Sequence, residues 1–379
     1  MAVPEFDAVI VGAGIAGASF AHALAPHARV LLLEREAHPG VHSTGRSAAM
    51  FMESYGPPQV RALTRASRAF YEQPPAGFAE APILSARGAL YAAWQGQQVA
   101  LDALLGTLTD TGSVVSRIDA DECLQRVPVL RADGLLGGVL EVDAMDIDVH
   151  ALHQGFLRGA RRAGAALWTD AELVQARAAS GRWQLELAGG RRVGTRTLVD
   201  AAGAWADELA QRCGVAPLGI QPKRRSAFTF APPAGTDVRP WPTVADVDER
   251  WYFKPDAGQL LGSPANAEPV DPHDVQPEEM DIALAIDRIE RMTTLTIRRP
   301  SRTWAGLRSF VADGDLVGGF DDELPGFFWL AAQGGYGIQT SPAMGETCAA
   351  IVRGLPLPAH VTRLGLTAAV LSPARLQRT

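Results

Sequence analysis

The chain is poor in cysteine. Three cysteines stand far apart in 379 residues, at 123, 213 and 348. An odd, scattered set excludes a disulfide framework and fits a reducing compartment. No Cys-x-x-Cys and no tight cluster of histidine with cysteine occurs, so nothing points to a structural metal. Long apolar runs are missing too, and none approaches the length that spans a bilayer. The N-terminus lacks a basic stretch followed by an apolar core and a cleavage site, so the chain reads as cytoplasmic and not membrane-spanning. It has no lysine- and arginine-rich block, and its formal net charge is −7. Nucleic acid is therefore not an expected partner. Internal repeats and low-complexity tracts are absent.

Glycine and proline, by contrast, are plentiful, at 38 and 26, which implies many tight turns. Hydrophobic residues make up 47% and charged residues 20%, a globular composition. The length exceeds what one core usually organises, so two joined domains are expected.

The first apolar run, residues 6–11, leads into a glycine loop, a helix of small residues over 16–24, and a second strand over 29–33. This is a βαβ unit. Helical spacing recurs over 59–71 and 149–163, and strands are expected at 183–187 and 196–199. From 218 to 303 strand-like runs alternate with Pro, Gly and Asp turns. One helix interrupts them, signalled by Pro277, Glu278 and Glu279 ahead of the stripe Ile282, Ile286, Ile289 and Thr293. Strand, glycine loop and helix return over 327–354.

The expected fold class is α/β: a Rossmann-type dinucleotide domain with an inserted mixed-sheet α+β substrate domain. Residues 1–80, 145–215 and 305–379 are assigned to the first and 81–144 and 216–304 to the second.

Residues 11–17 read VGAGIAG, so Gly12, Gly14 and Gly17 form GxGxxG. Gly12 permits the tight turn, Gly14 lets the backbone approach a pyrophosphate, and Gly17 lets helix and strand pack closely. The helix N-terminus then offers free N–H groups and partial positive charge to phosphates. Glu34 lies 20 residues after Gly14 at the end of the second strand, where a carboxylate takes both ribose hydroxyls and disfavours a 2′-phosphate.

A second block, GVHSTGRSAA at 40–49, argues for FAD over NAD. In FAD enzymes with this N-terminal fold such a segment wraps the pyrophosphate and runs under the flavin. Thr44, Gly45, Arg46 and Ser47 are its donors. A third piece, VDAAGAW at 199–205, carries Gly203.

These blocks, with AAQGGYGIQTSPAMGE at 331–346, resemble the D-amino-acid oxidase superfamily of FAD-dependent oxidoreductases, most nearly its D-arginine-dehydrogenase-like members. The resemblance extends through PQVRALTRASRAFY (58–71), LHQGFLRG (152–159), IQPKRRSAF (220–228), LLGSPANAEPV (260–270) and TWAGLRSFVADGD (303–315). It implies noncovalent FAD at the domain interface and hydride transfer from an amino-acid α-carbon to the flavin. The imino acid formed would be hydrolysed to a 2-oxo acid and ammonia.

The resemblance adds Arg35, Val174 and Ile338 to the cofactor contacts. It places Gly334, Gly335 and Gly337 where a helix N-terminus stabilises charge on the reduced flavin. Arg308 matches the arginine that grips the substrate carboxylate, a task suited to a planar fork. Arg225 is the second candidate, by match to the KRR run, where strand alternation turns either it or Arg224 inward and not both. Tyr252 matches a pocket tyrosine and Tyr55 a tyrosine on the loop that covers the pocket. No dedicated base stands out. His153 reads as a structural histidine and His42 as a partner of flavin or backbone.

Two departures bear on substrate and acceptor. Relatives that take D-arginine carry a carboxylate where this chain has Ala89, and Met50, Phe51 and Met52 replace a more polar run. Gly335 completes the expected pocket. An unpaired guanidinium in such a pocket would lose several kcal/mol, so neutral D-amino acids are expected unless Glu53 restores the charge. Oxidase relatives carry a lysine where this chain has Pro269, which points to a dehydrogenase using another acceptor, a quinone or a flavoprotein. The alternatives are an oxygen-using oxidase of D- or N-methyl amino acids, or a flavin-bearing electron-transfer protein.

Overall fold

The structure, a computed structural model, describes residues 3–376. Its first layer is an eight-stranded sheet built on the glycine motif. The strand Glu5–Val11 pairs parallel with Val30–Leu33 on one side and with Arg192–Asp200 on the other. Val30–Leu33 continues to Ala166–Trp168, and Arg192–Asp200 to Phe327–Ala331, again parallel. Every residue of Val30–Leu33 and of Phe327–Ala331 is buried, as expected for parallel strands covered on both faces. A hairpin, Leu173–Ala179 and Arg182–Leu187, extends the sheet antiparallel along the first half of Arg192–Asp200.

The small residues of the helix Ile15–Leu24 serve close packing. A Cβ on Gly345 of the last helix, Gly337–Val352, would lie 2.7 Å from the Ser19 backbone, so the two helices touch main chain to main chain. The helix Val149–Arg162 flanks them, its N-terminus capped by Asp148, which accepts from the Ala151 N–H at 2.8 Å.

The second layer is a nine-stranded mixed sheet. Its long pair is Gln221–Phe230 against Arg302–Phe310, in register from Gln221↔Phe310 to Thr229↔Arg302. The sheet runs on through Gln259–Ser263, Tyr252–Asp256 and Thr243–Asp246, which pairs parallel with Ala89–Trp94. Leu135–Glu141 and Val115–Ile118 complete it.

One face is apolar, with Phe228, Phe253, Val244, Leu90 and Leu140 packed under the helix Glu279–Met292. That helix begins two residues later than Pro277 suggests, with Glu278 as the residue before it. The opposite face, carrying Arg225, Tyr252, Ala245, Tyr91 and Ala89 by alternation, turns toward the first layer. Residues 305–310, assigned from sequence to the dinucleotide domain, remain paired in this second sheet.

A small three-stranded sheet not expected from the sequence joins Met50–Phe51, Met145–Ile147 and Leu84–Ala86. Two- and three-residue strands carry too little periodicity to be seen as such. Among the described residues, no helix is long and apolar enough to cross a membrane.

Candidate active site

The dinucleotide motif closes around a cavity of about 180 Å³ at the carboxyl ends of the parallel strands. Gly12, Gly14, Glu34, Arg35, Thr44, Gly203 and Gly334 all line it. Gly12 has φ +104°, and a Cβ there would overlap the Ala201 carbonyl. A Cβ on Gly17 would in turn strike the Gly12 carbonyl, which is how a missing side chain brings the helix onto the strand.

Glu34 is almost fully buried. One of its oxygens accepts from the Ala13 N–H at 3.1 Å and the other from the Glu36 N–H at 3.0 Å. Thr44 Oγ1 accepts from the Ile15 N–H at 2.9 Å, at the start of the helix. The Arg35 guanidinium sits 4.0 Å from the centroid of the Trp205 ring, and His42 packs on the same indole at 4.8 Å. His42 also bonds Glu36 at 2.9 Å. His153, buried below, bonds the Ala13 carbonyl at 2.8 Å, and burial holds its pKa below the ordinary value. It keeps the glycine loop in shape.

These residues fit an adenine dinucleotide. A buried carboxylate is poised for ribose hydroxyls, a glycine turn admits phosphates, and a helix N-terminus faces them.

Three expected cofactor contacts sit differently. The Arg46 guanidinium turns away from the cavity, donating to the carbonyls of Val275 at 3.0 Å and Ala305 at 3.1 Å and to Asp274 at 2.5 Å. It ties the first layer's loop to the second sheet, because a carboxylate and two carbonyls there satisfy its donors. Val174 is half exposed and outside the cavity lining, whereas its neighbours Ala171, Glu172 and Leu173 line it. Ser47 is exposed. Gly45 packs over Gly40, with a hypothetical Cβ 2.6 Å from the Gly40 carbonyl. Gly337 and Ile338 form the first turn of the last helix, where the Ile338 carbonyl accepts from the Tyr71 hydroxyl at 2.5 Å.

Adjoining this cavity, the Arg308 Nη1 lies 3.4 Å from the Tyr55 hydroxyl. Gly335 makes room for it, since a Cβ there would be 3.0 Å from the same nitrogen. Arg225 shares the neighbourhood of Arg308, Tyr252 and Tyr55 and donates to the Asn266 carbonyl at 2.6 Å. Burial and the charge of Arg308 pull the Arg225 guanidinium below its ordinary pKa. Arg224 faces the other way, paired with Glu278 and, at 3.2 Å, with Asp281. Among the described residues, no carboxylate lies within ion-pair distance of Arg225 or Arg308. Two convergent guanidiniums and two phenols without an acid have the donors that a carboxylate ligand would take up.

The rest of the pocket comes from the 50–56 segment and the second sheet. Tyr55 packs edge-on against Tyr336 at 5.2 Å, and Tyr336 against Phe310 at 6.2 Å. Met50 lies against Thr243 at 2.9 Å, and Met52 clusters with Ala89 and Tyr91. Glu53 is held by Arg68 at 2.5 Å and Arg65 at 3.5 Å, both on the helix Pro58–Glu72. Its charge is already taken up.

Sequence reasoning passed over Trp205, Tyr336 and Glu141. Tyr336 stands inside GGYG, where the glycines drew the attention. Glu141 is an acid at the end of an apolar strand, a pattern that usually marks a strand leaving the core.

A family model described as FAD dependent oxidoreductase matches residues 7–351. The chain is 24% identical over 366 residues to glycine oxidase of Bacillus licheniformis, covering 93% of this chain and 94% of that protein. Among solved structures, glycine oxidase from Geobacillus kaustophilus superposes with a TM-score of 0.84 at 23% identity, covering 99% of both chains. FAD-bound L-α-glycerophosphate oxidase from Mycoplasma pneumoniae superposes with a TM-score of 0.82 at 15% identity, covering 92% of this chain and 95% of the other. At such identities the superpositions establish the fold.

Proposed function

Because the chain belongs to the FAD-dependent oxidoreductase family, we propose that it oxidises the α-amino group of D-amino acids with neutral, apolar or aromatic side chains. The imino acid so formed is hydrolysed by water to a 2-oxo acid and ammonia. The electrons pass to an acceptor other than oxygen, a quinone or another flavoprotein.

One observation carries the reading: Arg308 and Arg225 converge with Tyr55 and Tyr252 and have no acid partner among the described residues.

Bound FAD supplies the two-electron acceptor. The chain's own part is positioning. Arg308 and Arg225 hold the carboxylate of the amino acid, and the Tyr55 phenol adds a donor to it. Tyr55 and Tyr336, ring against ring, close the pocket to water. Met50 and Met52 adapt to an apolar side chain, each buried methylene adding about 0.8 kcal/mol. A distal cation finds no acid at Ala89, Glu53 is bound to Arg65 and Arg68, and Glu141, opposite Ala89 in register, is taken by Ser54 and pushed by burial toward its neutral form.

A second reading, an oxidase using oxygen, is favoured by one contact. Lys223 stands in register opposite Pro269, with its ammonium 5.2 Å from the Phe310 ring centroid, so a cation lies beside the position where oxidases carry lysine. The glycine oxidase relatives agree with that reading.

The experiment that tests the substrate is anaerobic bleaching of the flavin band by a panel of D- and L-amino acids with glycine, and reoxidation in air tests the acceptor. D-methionine, D-leucine and D-phenylalanine are expected to bleach it, and their L-enantiomers and D-arginine are not. Bleaching by glycine alone would transfer the chain to the glycine-oxidising class. Bleaching by none would leave an electron-transfer protein.

A further inference from the structure

Tyr55 owes its place to two neighbours that are pulled in opposite directions. Glu53 is tied to the first layer through Arg65 and Arg68. Ser54, the next residue, donates its hydroxyl to Glu141 Oε2 at 2.7 Å, in the second sheet. Both ends of this bond are buried, with Ser54 at 6% and Glu141 at 1% exposure. Gly56 follows with φ +95°, a conformation that favours glycine, and a Cβ there would lie 3.0 Å from the Tyr336 ring. Between these fixed points Tyr55 projects toward Arg308.

Glu141 is an unusual residue to bury. It stands at the end of Leu135–Glu141, flanked in register by Ala89 and Val115. Alternation puts it on the face of Val139, in the cluster that holds Met52, Ala89 and Tyr91. No guanidinium or ammonium lies within ion-pair distance among the described residues, and burial pushes its carboxyl up to about 7, with Asp143 and Glu53 adding to the shift. A carboxyl kept in such surroundings without a cation needs a use, and among the described residues the hydrogen-bond partner its side chain takes is Ser54.

We propose that Glu141 is a positioning residue for substrate binding: through the Ser54 hydroxyl it latches the 52–56 segment to the second sheet and so fixes the Tyr55 phenol beside Arg308. The proposal rests on the carboxylate-clamp reading above. The latch acts on a bound amino acid only through Tyr55, because Glu141 itself touches neither Arg308 nor Arg225.

The test uses the FAD-loaded enzyme with D-methionine and four variants, Ser54→Ala, Glu141→Leu, Glu141→Gln and Tyr55→Phe, beside Arg308→Ala. Ser54→Ala and Glu141→Leu are expected to raise KM about tenfold, the order of one lost hydrogen bond of moderate strength. Their kcat should stay within about twofold and their FAD content should be unchanged. Amide hydrogen exchange of residues 52–56 should accelerate in both. Glu141→Gln keeps an acceptor oxygen and should bring KM back to within about threefold of the native value. Combining Ser54→Ala with Tyr55→Phe should raise KM no further than Tyr55→Phe alone, since the two changes remove one contact.

Additive effects in that double variant would overturn the latch. So would an unchanged KM in Ser54→Ala beside a raised KM in Arg308→Ala. An unchanged KM in Arg308→Ala would overturn the clamp, and the latch with it. Should Glu141→Leu fail to fold, Ser54→Ala decides alone.

Discussion

Replacing Arg308 by alanine tests the clamp most directly. The guanidinium lies between Gly335 and Tyr55, with no acid partner among the described residues, so its charge is available to a ligand. A bidentate, charge-assisted pair with a carboxylate contributes about 2–4 kcal/mol. At about 1.4 kcal/mol per decade, this predicts a rise in KM of about 30-fold to 10³-fold. Two features of the site push toward the lower end. Arg225 remains to hold part of the carboxylate, and its guanidinium is relieved of the repulsion that now lowers its pKa. Arg308→Lys keeps the charge and loses the fork, and should recover only part of the affinity. Anaerobic rapid-mixing of enzyme with D-methionine separates the dissociation constant from the bleaching rate. The expected pattern is weaker binding with FAD still bound. Native binding in Arg308→Ala would refute the assignment, and equal losses in Arg225→Ala and Arg308→Ala that fail to couple in the double variant would refute the shared clamp.

Acid precipitation should release the yellow cofactor into the supernatant, because His42, the histidine of the Arg46 segment, is engaged by Glu36 and stacked on Trp205; flavin retained in the pellet would show covalent attachment. The reduced enzyme should reoxidise slowly in air and quickly with a quinone or dye, and if air oxidation is instead fast, Lys223→Met should slow it. Ionisation of Glu141 should set a pH dependence of stability: its carboxyl is raised from 4.5 to about 7 in the fold, so the folded state holds the proton more tightly. Stability is then full below about pH 4.5, falls as pH rises from there to about 7 by about 3 kcal/mol at most, and levels off above it. Urea unfolding at pH 5.5 and 8 should show a steeper decline in the native chain than in Glu141→Gln, where Asp200, also raised by burial, still contributes. Ala89→Glu combined with Glu141→Gln should gain activity on D-arginine, since position 89 faces Glu141 in register and two adjacent buried acids would otherwise share one proton.

The dinucleotide half was legible because its chemistry is local. GxGxxG, the strand before it and the acid after it lie within one stretch of chain, and Gly12, Gly14 and Glu34 line one cavity. The partners of the Arg46 guanidinium were not legible, for the opposite reason. Its sequence neighbours suggest phosphate, but its partners Asp274, Val275 and Ala305 lie more than two hundred residues away, in a strand and loop whose approach no local pattern announces.

The same limit governs the substrate pocket. Ala89 could be read as the loss of an acid, and Glu53 as its replacement, only while Arg65 and Arg68 were unplaced. Helical spacing does put 65 and 68 on one face of Pro58–Glu72, yet nothing in that spacing says the loop before the helix folds back to meet them. Once it does, Glu53 is paired with two guanidiniums, and Glu141 is the buried acid opposite position 89, with a hydroxyl and, among the described residues, no cation. A buried carboxyl raised to about 7 and bonded to a hydroxyl is built to hold a hydrogen bond more than a charge. That distinction separates this chain from relatives that carry a carboxylate at position 89, and it arises from a residue fifty-two positions downstream of the one the comparison by sequence singles out.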